Sequence, residues 1–166
     1  MRPRVCVAAV VASIALTLGA TPALADTKTR VDPVGDAPAG IDISLARYSY
    51  ENGRVSVKAR VPDLARRGRA DLSISRFEIF DAGYVVRLVK RAGKPPRTRL
   101  YFFDHFDLHR RPCDDVRGWW RRSNVRLSVD ADCLEGHARR RIFTQVGLIR
   151  RQDFDVAPAV RRLARG

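Results

Sequence analysis

The sequence contains no Gly-x-Ser-x-Gly elbow, which excludes the nucleophile placement that α/β-hydrolases need. No glycine-rich segment matches a nucleotide fingerprint, so a phosphate-cradling loop is excluded as well. Cysteine occurs three times and never as Cys-x-x-Cys, which removes the thioredoxin-type redox motif. After residue 25 no apolar run approaches the roughly 20 residues that span a bilayer. Lysine is scarce, four residues against 28 arginines, and acids number only 18, so the net charge is +14.

What is present begins with an export pattern. Arg2 and Arg4 precede an apolar run from Val5 to Leu18, and Ala23-Leu24-Ala25 supplies small residues for cleavage. Residues 1–25 are therefore expected to be a signal peptide, and the mature protein to be secreted and extracellular. Losing Arg2 and Arg4 with the leader lowers the net charge to +12. It also removes Cys6 and leaves Cys113 and Cys133, an even pair that predicts a disulfide in an oxidising compartment. Closing that loop would stabilise the fold by roughly 3 kcal/mol.

The remaining 141 residues suit one domain. Residues 26–40 carry Val31-Asp32-Pro33-Val34-Gly35-Asp36-Ala37-Pro38, whose Gly and Pro density predicts an extended lead-in loop. From residue 41 to 156 short alternations recur between turn signals, as in an all-β protein. Val55, Val57, Ala59 and Val61 point one way, while Ser56, Lys58 and Arg60 point to water. Glu51-Asn52-Gly53 before them predicts a tight hairpin turn. Further strands are expected at Ile41 to Tyr50, Leu72 to Phe80, Tyr84 to Lys90, Leu100 to Phe106, Val125 to Val129 and Arg141 to Ile149, with another leading out of Trp119-Trp120. The segments Asp63 to Asp71 and His109 to Val116 are expected to be connections, and 157–166 a basic tail. Eight or nine strands of this length predict an antiparallel β-sandwich, jelly-roll-like in architecture.

The opening Asp32-Pro33-Val34-Gly35-Asp36, followed by Ile41-Asp42-Ile43 and a hairpin ending Val55-Ser56-Val57, resembles small secreted β-sandwich modules of the DOMON and family 9 carbohydrate-binding types. The mature chain, with Cys113 and Asp132-Cys133-Leu134, also resembles a group of exported actinobacterial β-sandwich proteins of uncharacterised activity. The first resemblance implies a sandwich with a carbohydrate ligand held in an apolar-aromatic cleft.

Three constellations could carry chemistry. Asp32, Asp36 and Asp42 offer carboxylate oxygens around a Gly-containing loop, the hard-ligand chemistry that calcium takes, although the spacing matches no EF-hand. The plainer reading makes Asp32 and Asp36 turn formers. Were a strand to persist through Asp104 to His109, then His105, Asp107 and His109 would share a face and could serve a hydrolase or a metal-dependent enzyme. The same alternation turns Phe106 and Leu108 inward and leaves the trio solvated, with distant His137 as the only further histidine. Arginine clusters at 66–69, 110–111, 121–122, 139–141 and 150–151 suit polyanion adhesion, and Trp119-Trp120 beside Arg121-Arg122 suits stacking. Their scatter argues against specific nucleic-acid binding. No catalytic residue stands out, and calcium is the only cofactor suggested. The leading expectation is a non-enzymatic, envelope-associated binding module for polyanionic or carbohydrate surfaces.

Overall fold

The computed structural model describes residues 26–76, 81–105, 107–136, 138 and 141–166. The expected signal peptide, Cys6, Phe106 and His137 lie outside the described residues, as do residues 77–80 and 139–140. The chain folds as an antiparallel β-sandwich of a five-stranded and a seven-stranded sheet.

The five-stranded sheet runs β1 (Asp26–Val31), β2 (Leu45–Glu51), β3 (Arg54–Arg60), then β9 (Asn124–Asp130) and β8 (Val116–Arg121). The other sheet orders β11 (Asp153–Val156), β10 (Arg141–Arg150), β4 (Gly68–Ser75), β5 (Ala82–Lys90), β6 (Arg97–Asp104) and β7 (Asp107–Arg111). The last strand, β12 (Val160–Ala164), pairs with the start of β10. Side-chain alternation decides which face is dry. In β3, Val55, Val57 and Ala59 are buried against Leu72, Ile74, Val86 and Leu88 of the facing sheet, while Lys58 and Arg60 stay in water. The sheets approach so closely at Gly118 that an added Cβ would lie 2.4 Å from the Thr98 hydroxyl and 2.6 Å from a Leu88 methyl.

The β2–β3 turn forms as its sequence predicts, with Asn52 and Gly53 both at positive φ. β5 is central and apolar on both faces, with Val85, Val86 and Leu88 buried. The disulfide joins Cys113 to Cys133 across 5.8 Å between Cα atoms. It ties the segment before β8 to the 3-10 turn Ala131–Leu134 after β9, and so staples the two ends of that hairpin.

Several boundaries differ from the sequence reading. Twelve strands form among the described residues rather than eight or nine, because short polar edge strands carry little periodic signal. Residues 26–31 of the expected lead-in loop are a strand, paired in register from Asp26↔Tyr50 to Val31↔Leu45. The tail expected at 157–166 is also structured: β12 buries Val160 and Leu163. Ile41 and Ile43 are fully buried but lie before β2, in a loop whose Ile41 and Asp42 amides both donate to the Pro38 carbonyl. The segment expected to connect strands at 63–71 already enters β4 at Gly68, and β7 occupies the start of the stretch expected to be irregular.

Candidate functional site

The segment 32–44 between β1 and β2 meets strand β11 and brings four aspartates near one another. Asp32 follows β1 directly, and its amide donates to the Ser44 carbonyl. Asp36 sits beside Gly35, whose φ of +95° turns the chain back as only glycine does without strain. Asp42 stands between the core residues Ile41 and Ile43, which pin the loop from both sides. Asp155, on β11, arrives from the far end of the chain, 112 residues beyond Ile43, and its carboxylate accepts from the Ile43 amide at 2.6 Å.

Carboxylate oxygens of Asp36, Asp42 and Asp155 all lie within 4.8 Å of one another. A calcium ion with oxygens at 2.3–2.6 Å holds ligand atoms at such separations. Asp32, Asp42 and Asp155 are buried, exposed by only 4 %, 7 % and 6 %. Asp42 spends one oxygen on the Gly35 amide at 2.8 Å, while its other oxygen and Oδ2 of Asp32 are buried with no hydrogen-bond partner among the described residues. No lysine or arginine forms an ion pair with any of the four among the described residues.

The electrostatic consequence is direct. Burial, then the charges of Asp155, Asp36 and Asp42, push the Asp32 carboxyl up to about 6. Burial also raises Asp155 against the opposing hydrogen bonds from the Ile43 and Val156 amides, with Asp36 and Asp42 adding to the rise. Buried carboxylates without cation or donor cost several kcal/mol each in principle, so this cup is complementary to a positive ion. Of the three aspartates named from the sequence, Asp36 and Asp42 join Asp155 in the close cluster, and Asp32 lies outside it, near enough for their charges to raise its carboxyl. Asp155 was missed, because nothing local to Phe154-Asp155-Val156 signals a ligand and only the β10–β11 pairing carries it into place.

The second expected cluster separates. β6 ends at Asp104, His105 occupies the turn at φ +53°, and β7 starts at Asp107, paired across the hairpin with Asp104. The strand therefore does not persist, and the condition for a three-residue face fails. His105 is exposed and bonded to Asp104 at 2.9 Å, while Asp107 and His109 lie exposed on β7.

Alternation divides the tryptophan pair. Trp120 is buried and donates its indole N–H to the Ala65 carbonyl at 2.7 Å, while Trp119 is 52 % exposed on the outer face. Comparison with family models, with characterised proteins and with solved structures returns no match to this chain.

Proposed function

We propose that the protein is an exported, non-enzymatic binding module of the cell envelope whose loop end is closed by a calcium ion. Asp36, Asp42 and Asp155 are its ligands, with Asp32 beside them and with backbone carbonyls and water completing the six to eight oxygens that calcium takes. The observation that carries the reading is the pair of buried carboxylate oxygens on Asp32 and Asp42 that have no hydrogen-bond partner, in a cup where no lysine or arginine forms an ion pair among the described residues. Loop carboxylates of this kind suit the weak calcium affinities of extracellular modules, on the order of 10⁻⁴–10⁻³ M. Export supports the reading because calcium at that level is met outside the cell, and the Cys113–Cys133 bridge fits an oxidising compartment. The partners that fit so basic a surface are polyanions or acidic polysaccharides.

Thermal melting of the mature protein in chelator and in millimolar calcium tests the site. Calcium should raise the midpoint by several degrees, and magnesium should do so far less because it demands tight octahedral geometry. An identical midpoint in chelator and calcium would remove the proposal.

A further inference from the structure

The outer face of the five-stranded sheet carries an ordered pattern that the sequence scatters over five strands. Cross-strand partners place Thr29, Arg47, Lys58, Arg126 and Trp119 in one row, each opposite the next. The neighbouring row reads Thr27, Ser49, Ser56, Ser128 and Arg117. With strands about 4.8 Å apart, the cations Arg47, Lys58 and Arg126 span about 10 Å, and each row about 19 Å. A shallow depression of about 510 Å³ lies over this face.

The arrangement is costly without a ligand. Like charges directly opposite in a sheet destabilise it. Here two such pairs adjoin, Arg47 with Lys58 and Lys58 with Arg126, and none of the three side chains meets an acid among the described residues. The facing sheet handles the same problem differently: Arg87 sits opposite both Asp71 and Arg99, and binds Asp71 through two nitrogens at 2.9 Å. All three side chains of the cationic row are exposed, as is Trp119 at its end.

We infer that this face is the binding platform for an acidic polysaccharide, laid across the strands with its anionic groups on Arg47, Lys58 and Arg126. The hydroxyl row would hydrogen-bond sugar hydroxyls, and the Trp119 ring would pack on an apolar sugar face. A polyhydroxylated chain fits better than single-stranded nucleic acid, because the platform offers five hydroxyl side chains and one aromatic ring rather than successive stacking rings. The inference rests on the binding-module reading and is independent of the calcium site.

Calorimetric titration with polygalacturonate, heparin and poly(dT) tests it on the mature chain. The triple variant Arg47→Ala, Lys58→Ala, Arg126→Ala should lose at least tenfold in affinity for the acidic glycan and flatten its salt dependence by a slope of about 2. Trp119→Ala should lose roughly tenfold with the salt slope unchanged, since stacking releases no counterions. Arg97→Ala with Arg99→Ala, on the opposite sheet, should leave affinity within about twofold. Preferential binding of the carboxylated or of the sulfated glycan would identify the anionic group. Tighter binding of poly(dT), or loss of glycan binding only on changing Arg97 and Arg99, would overturn this assignment and leave the binding-module reading standing. Absence of binding to all three polymers would end both. The folding of each variant is read from its melting midpoint, and Lys58→Glu supplies a ligand-free check: it should raise the midpoint by relieving two repulsions, and a fall would overturn the premise.

Discussion

Two acidic regions sit in this basic molecule, and they are satisfied in opposite ways. Beside the disulfide, Asp115 meets Arg54 at 2.9 Å and Arg117 at 2.8 Å, Asp130 meets Arg54 at 3.8 Å, and Glu135 meets Arg111 at 3.3 Å. These carboxylates are partly exposed and paired, the ordinary outcome where arginine outnumbers acid. In the cup, Asp32, Asp42 and Asp155 are buried while Asp36 is exposed, and none of the four meets an arginine in an ion pair among the described residues. Burial should make counter-charge more necessary rather than less. The contrast teaches that the two regions differ in where counter-charge comes from: Asp115, Asp130 and Glu135 take it from nearby arginines, whereas the cup would take it from the bound ion proposed above.

Breaking the disulfide should produce the largest effect. Cys113→Ala with Cys133→Ala should lower stability by roughly 3 kcal/mol, in calcium and in chelator alike, by denaturant unfolding. Next comes the cup: Asp155→Asn should abolish the calcium response while raising the chelator midpoint, because it removes one of the repelling charges. At a calcium concentration 100 times the dissociation constant, wild type should gain about 2.7 kcal/mol over its own calcium-free stability, and the variant nothing. A variant that kept its calcium response would separate Asp155 from the site.

Acidity sharpens the contrast further. A carboxyl held above its ordinary value contributes stability that is complete below about 3.8 and lost as pH rises through about 6. Calcium-free protein should therefore gain melting temperature as pH falls from 7 to 5. With saturating calcium the trend should reverse, since protons then compete with the ion. The same slope in both conditions would show that Asp32 titrates apart from the ion. The smallest effect belongs to the paired region: Asp115→Asn should move the denaturant midpoint least of these variants and leave the calcium response intact, as exposed ion pairs do.

Much of the sandwich was legible because its central strands alternate strictly. Val55 to Val61 and Val125 to Val129 declare their buried faces, and Asn52-Gly53 declares the turn. The edges were not legible. Asp26–Val31 holds one apolar residue, exposed by 73 %, and becomes a strand only through pairing with β2. Val160–Ala164 reads as a tail until Val160 and Leu163 are seen inside the core. Two members of the candidate cluster stand in one stretch of sequence, Asp36 and Asp42. The third, Asp155, depends on β11 folding back along β10, a long-range event without local signature. The cationic row was invisible for the same reason, since Arg47, Lys58 and Arg126 stand apart in sequence and adjoin only through strand register. Among the described residues of the arginine clusters that stood out instead, only Arg110-Arg111 forms a doublet within a strand, β7, where neighbours alternate between faces.

Direct calcium titration of the mature protein by calorimetry at neutral pH bears most closely on the cup. One equivalent should bind to the wild type, and none to the Asp42→Asn variant with its fold intact. Failure of the wild type to take up calcium at millimolar concentration, or undiminished uptake by Asp42→Asn, would contradict the proposed role of these buried carboxylates.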